Sequence, residues 1–146
     1  MKKLARIHFL SLADRLQPLR DYIRQLLSAE NIDQKKIAQI VLAVNEACMN
    51  CIQHAFRGQG TGEIIIEFWL ENKQLLIRIL DDAPQVTLQN IRSRPLQEVR
   101  PGGLGVHLIH QLMDSVEYAH RQDQPGNSLE IRTALNNGSE NTQDVL

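Results

Sequence analysis

Val44-Asn45-Glu46-Ala47-Cys48-Met49-Asn50-Cys51-Ile52-Gln53-His54-Ala55-Phe56 is the stretch on which the reading of this chain turns. Set Ile37 at zero and step about 100° per residue, the turn of an α-helix. Ile40, Val41, Val44, Ala47, Cys48, Cys51, Ile52 and Ala55 then gather on the side of Ile37. Glu46 falls opposite, with Asn50 one turn further on. The spacing predicts one long helix over residues 34–55, with Asp33 as its N-cap. Glu46, Asn50 and His54 recur at i, i+4 and i+8 and line one side of it. A carboxylate beside a neutral amide suits a base next to a hard-cation ligand, because Mg²⁺ takes few protein oxygens and keeps waters and phosphates. A solvated helix face has the same pattern, and spacing alone leaves both readings open.

Outward from this helix the elements come in a simple order. Residues 4–10 read as a first strand. Residues 15–29 read as a helix, with Leu19, Tyr22, Ile23, Leu26 and Leu27 at helical spacing and Pro18 tolerable only in the first turn. Residues 57–62 form a Gly-rich loop. Residues 63–71 and 74–80 make a hairpin about a tight Asn72-Lys73 turn, rich in β-branched and aromatic side chains. Between 81 and 103 the pattern dissolves, punctuated by Pro84, Pro95 and Pro101, with at most a short helix at 88–92. A loop of that length is functional or disordered. Residues 105–113 read as a short helix, and 116–120 with 129–133 as a closing hairpin around Gln124-Pro125-Gly126. The expected fold is an α+β two-layer sandwich over residues 1–135, an antiparallel or mixed sheet with helices on one face. Residues 136–146 are expected to be a flexible tail.

Two further stretches carry chemistry. In Arg100-Pro101-Gly102-Gly103-Leu104-Gly105 the glycines run into a helix start, where free N–H groups and the helix dipole favour a phosphate. A flexible hinge would look the same. The dinucleotide fingerprint is absent, since its last glycine would fall on Leu108, and there is no Walker A sequence. Leu80-Asp81-Asp82-Ala83-Pro84 ends a strand with acidic residues that could accept from a base amino group, hold a cation, or merely form a turn. Cys48 and Cys51 have C-x-x-C spacing, but both sit on the apolar stripe with no second pair, so they read as small core residues. His107 and His110 have no clustered partners and do not read as a zinc site.

Composition sets the outer bounds. At 146 residues the chain makes one domain, and 42% hydrophobic with 23% charged residues excludes whole-chain disorder. Lys+Arg 16 against Asp+Glu 17 leaves a net charge of −1, with no basic excess to draw it to nucleic acid or an anionic membrane. Two cysteines three apart make no disulfide framework. Arg6 and His8 interrupt the apolar residues after Met1-Lys2-Lys3, so neither a signal peptide nor a membrane span is expected. A cytoplasmic address is the expectation.

In this order and spacing the motifs resemble those of the GHKL ATPases, the superfamily of histidine kinases, type II topoisomerases and heat-shock chaperone ATPases. Glu46-x-x-x-Asn50 resembles the N-box, Asp81-x-Ala83 the Asp-x-Gly box, and Gly103-Leu104-Gly105 a second glycine box after a lid loop. Ser128 stands where the superfamily places a nucleotide-facing Thr or Ser. Val44 to Phe56 together with Gly102-Gly103-Leu104-Gly105-Val106-His107-Leu108-Ile109 is similar to the branch of anti-sigma-factor serine/threonine kinases. The resemblance spans about residues 4–135. It implies the Bergerat (histidine-kinase-like ATPase) fold, ATP and Mg²⁺ as cofactors, Glu46 as general base and Asn50 as metal ligand. It implies nucleotide contacts at Asn50, His54, Asp81, Ala83, Gly102, Gly103, Leu104, Gly105, Val106, His107 and Ser128. It also implies partners: a STAS-domain anti-anti-sigma protein phosphorylated on serine, and a sigma factor sequestered by a dimer. The sequence departs from Asp-x-Gly-x-Gly at both glycines, which are Ala83 and Gln85. The alternative is a non-catalytic, nucleotide-sensing regulatory module of the same fold.

Overall fold

Asn72 and Lys73 turn the chain through left-handed backbone, with φ of 47° and 61°. That pair of positive φ values is the two-residue turn whose twist matches a hairpin. The computed structural model describes residues 1–56, 60, 62–84 and 103–135. The hairpin built on this turn joins β2 (Glu63–Glu71) to β3 (Gln74–Asp81), paired from Ile64↔Asp81 to Glu71↔Gln74. β1 (Lys2–Leu10) adds to the outside of β2. β4 (Ser115–His120) and β5 (Asn127–Ala134) return as a second hairpin, with β5 against β3. The sheet order is β1-β2-β3-β5-β4, and all four pairings are antiparallel rather than mixed.

Strand alternation sends one set of side chains under the helices. Ile64, Ile66 and Phe68 of β2, Leu75, Ile77 and Ile79 of β3, and Leu129 and Ile131 of β5 share one core. Helix α1 (Leu16–Ser28), entered through a 3₁₀ turn at Ala13–Arg15, adds Leu16, Leu19, Ile23 and Leu27. Helix α2 (Gln34–Asn50) adds the stripe from Ile37 to Cys48, and helix α3 (Gly103–Leu112) adds Ile109. Burying each large apolar side chain contributes about 1.5–3 kcal/mol. The other sheet face carries opposite charges side by side. Glu67 meets Arg6 at 3.4 Å and Arg78 at 3.5 Å, and Arg78 meets Glu130 at 2.7 Å.

Three local details differ from the sequence reading. Asp33 stands at the N-cap and its carbonyl accepts the Ile37 N–H at 2.9 Å, but its side chain makes no capping bond. The long helix is α only to Asn50; Cys51–Ala55 winds as a π turn, closed by the Phe56 N–H on the Cys51 carbonyl at 3.1 Å. The third helix starts at Gly103, so Gly103 and Gly105 lie inside its first turn instead of preceding it. The short helix expected at 88–92, most of the loop between 81 and 103, and the tail at 136–146 lie outside the described residues. Among the described residues no helix is long and apolar enough to cross a membrane.

Candidate functional site

β3 ends at Asp81 on the core side of the sheet, the parity of Ile77 and Ile79, and a carboxylate is carried there into an apolar setting. Asp81 is only 8% exposed. A buried carboxylate has to be met by donors. Oδ1 accepts the Ala83 N–H and the Asn127 side-chain amide, each at 3.0 Å. Oδ2 accepts the thiol of Cys51 at 3.4 Å. The same Asn127 amide nitrogen donates to the Pro84 carbonyl at 3.2 Å, which ties the start of β5 to the chain leaving β3. Arg121 donates to the Asp81 carbonyl at 3.3 Å while its guanidinium forks onto Asp123 at 2.9 and 3.1 Å.

The Cys51 contact decides what stands around Asp81. Cys51 opens the π turn directly after Asn50, so the end of α2 that bears the polar edge lies beside the end of β3. π turns inside helices occur often at functional sites. Glu46 and Asn50 are half-buried, not the fully solvated face that spacing also allowed. Arg20 of α1 donates to Asn45 at 2.8 Å and pins α2 at the turn that carries Glu46. The wider π turn takes residue 54 out of α-helical register with Glu46 and Asn50. The side chain of His54 lies outside the described residues.

Gly103, Leu104, Gly105 and Val106 form the first turn of α3, which packs against α2. The first N–H groups of a ten-residue helix have no partner within it, and they face an anion favourably. Gly102 lies outside the described residues, as do the side chains of Leu104 and Val106. His107 is half-buried in α3; one turn on, the His110 ring lies 6.4 Å from Tyr118. Partial burial, and then the charge of His107, lower the pKa of His110.

Ala83 fits where the motif has glycine. Its backbone is not among the described non-glycine residues with positive φ, and its methyl joins the apolar core. Ser128, expected to face a nucleotide, is the second residue of β5. β5 alternates, so Asn127 shares the core face with Leu129 and Ile131, while Ser128 shares the open face with Glu130. From this turn it is therefore Asn127 that reaches Asp81.

Sequence reasoning missed Cys51 and Asn127. Periodicity places Cys51 among core residues, and Cys48 is indeed fully buried, its thiol pushed up to about 12 by desolvation. Cys51 sits at the end of the same stripe, where the core gives way to Asp81. Burial first, and then the charge of Asp81, raise its thiol further. The available signal was position: the last stripe residues of α2 and the last inward residue of β3 meet at one end of the sandwich.

The donor set fits a nucleotide. Asp81 offers a fixed acceptor for a base amino group, Asn50 a single neutral oxygen for a hard cation, and α3 a helix start for phosphate. Among the described residues no cluster of three His, Cys, Asp or Glu could hold a metal by itself. A lone amide oxygen suits Mg²⁺ that arrives with its waters and phosphates.

Comparison with known proteins agrees with this fold. A family model described as "Histidine kinase-like ATPase domain" matches residues 9–133. The chain is 34% identical over 92 residues to "Serine-protein kinase RsbW" of Bacillus cereus (strain AH820), a match covering 58% of this chain and 57% of that protein. The match thus spans little more than half the length of such relatives. Among solved structures, "The crystal structure of the RsbU and RsbW domains of Rv1364c from Mycobacterium tuberculosis" superposes with a TM-score of 0.64 at 17% identity, over 90% of this chain and 32% of that one. "Mycobacterial sensor histidine kinase MprB" superposes with a TM-score of 0.55 at 11% identity, over 91% and 98%. At those identities the likeness is one of fold.

Proposed function

The chain belongs to the histidine kinase-like ATPase domain family, and from that premise we propose that it is an ATP-dependent protein serine/threonine kinase that acts as an anti-sigma factor. Its substrate is a serine on a STAS-domain anti-anti-sigma protein, and its alternative partner is a sigma factor held by a dimer of the chain in the cytoplasm. The observation that carries the reading is the buried Asp81 carboxylate, held by three donors beside the polar edge of α2. The similarity to a serine-protein kinase supports the choice of acceptor.

Each residue has a role that its chemistry suits. Asp81 accepts from the amino group of the base. Ala83 and His107 stand with it as nucleotide contacts, and His54 completes the line of α2. Gly102 to Val106 meet the phosphates through backbone N–H groups, which a dipole at a helix start favours. Asn50 would hold Mg²⁺ together with the phosphates, and the ion would supply positive charge to offset what builds on the transferring group. Glu46, one turn before Asn50, accepts the proton of the incoming serine hydroxyl. Phosphoryl transfer asks a protein chiefly to position the reactants and to stabilise charge.

The test is label transfer. The purified chain, γ-labelled ATP and Mg²⁺ are mixed with each STAS-domain protein of the same organism. Label on one serine of one STAS protein, lost when that serine is replaced by alanine, supports the proposal. ATP binding without transfer to any of them overturns the kinase reading in favour of a nucleotide-sensing module.

A further inference from the structure

Asp81 is held more fully than a base contact alone requires, and its third donor comes from a side chain to which the nucleotide reading gives no task. We propose that Cys51 is a specificity-determining positioning residue: its S–H, with the Ala83 N–H and the Asn127 amide, sets the Asp81 carboxylate so that one acceptor position on Oδ2 stays open to a base amino group. The inference deepens the ATP-binding reading and rests on it.

An ionised carboxylate accepts at about four positions, two on each oxygen. Both positions of Oδ1 are taken, by the Ala83 N–H and by Asn127 at 3.0 Å each. Oδ2 has one donor among the described residues, Cys51 at 3.4 Å. Among the described residues that leaves one position, on the oxygen that Cys51 meets.

Two bonds to Oδ1 fix that atom but leave the carboxylate plane free to swing about it. A donor on Oδ2 stops the swing. A thiol is suited to the task because it is a weak donor on a large atom. It steers Oδ2 while leaving most of the charge for a stronger N–H donor. Cys51 is itself fixed by the chain, as the first residue of the π turn, with its carbonyl taken by the Phe56 N–H at 3.1 Å.

A fixed acceptor discriminates. A 6-amino purine presents N–H to Oδ2, whereas a 6-oxo purine presents a second acceptor that repels it. Loosening the carboxylate weakens the first contact and relieves the second, so the ratio of affinities falls. General loss of packing would lower both affinities together.

The experiment is calorimetric titration of the full chain with ADP and with IDP, both with Mg²⁺, for wild type, Cys51→Ala and Cys51→Ser. Wild type is expected to prefer ADP. Cys51→Ala should lower the ADP-to-IDP affinity ratio about three- to tenfold, the range of one hydrogen bond. Cys51→Ser, which restores a donor, should hold the ratio within about twofold of wild type. An unchanged ratio in Cys51→Ala overturns the inference, and so does a folded Cys51→Ser that loses it. Should Cys51→Ala fail to fold, Cys51→Ser alone decides. Wild type that binds neither nucleotide overturns the ATP-binding reading itself, and this inference with it.

Discussion

Replacing Asp81 by asparagine isolates the base contact from the fold around it. Asp81 is 8% exposed and accepts three hydrogen bonds. An asparagine of the same shape has one oxygen and one NH₂. If the oxygen keeps the place of Oδ1, the Ala83 N–H and the Asn127 amide at 3.0 Å stay satisfied, so the chain should fold with a loss of about 1 kcal/mol. The NH₂ then takes the place of Oδ2 and turns a donor toward the base amino group. Binding thereby forfeits a hydrogen bond to a charged acceptor, about 1.5–3 kcal/mol. At 1.4 kcal/mol per decade that is a Kd for Mg-ADP raised about 10- to 150-fold. The same NH₂ can donate to a 6-oxo group, so affinity for IDP should be unchanged or better. Titration calorimetry with both nucleotides, beside a thermal melt of the same sample, reads all three numbers. ADP affinity within about threefold of wild type, or equal losses for ADP and IDP, would refute the placing of the base at Asp81.

The same geometry sets two further outcomes. Gly126 has φ of +144°, and a Cβ there would run into the Asp81 carbonyl oxygen; Gly126→Ala should therefore cost about 1–3 kcal/mol in chemical denaturation and weaken nucleotide binding with it, and a neutral result would contradict the turn. Desolvation pushes the Cys48 thiol up to about 12, so its thiolate at pH 8 is much scarcer than in an unfolded chain. Cys51, which is half-buried, is raised as well, and both thiols should react with a disulfide reagent more slowly than free cysteine. Reaction of either native thiol at the rate of free cysteine would count against the burial described.

Much of the fold was legible because its signals are local. The Ile37-to-Cys48 stripe, the alternation of 63–71 and 74–80, and the Asn72-Lys73 turn each report a period or a φ requirement that tertiary packing did not override. The features that escaped had no local signal. Whether strands pair parallel or antiparallel depends on partners distant in sequence, so the sequence alone leaves the sheet antiparallel or mixed, and the pairing of β5 with β3 decides it. Cys51–Ala55 carries helix-compatible residues, and nothing in them announces a π turn. Asn127 and Ser128 are adjacent polar residues, and only the parity of β5 tells which one faces Asp81. Spacing puts Glu46 and Asn50 on one edge of the helix, but it cannot separate a half-buried edge from a solvated one. The neighbours brought by α1 and β3 do that.

The central claim is that the polar edge of α2 performs chemistry while Asp81 performs recognition. The measurement that tests it most directly is the single-turnover rate of label transfer from saturating γ-labelled Mg-ATP to a serine of the STAS-domain partner, for wild type and Glu46→Gln. Glutamine keeps the shape of Glu46 and removes the base. The expected result is a rate lower by about 10²–10⁴-fold, with the Kd for Mg-ATP changed by less than about threefold. A rate in Glu46→Gln within about threefold of wild type, with ATP bound as tightly, would contradict the claim and return Glu46 to an ordinary residue of the helix surface.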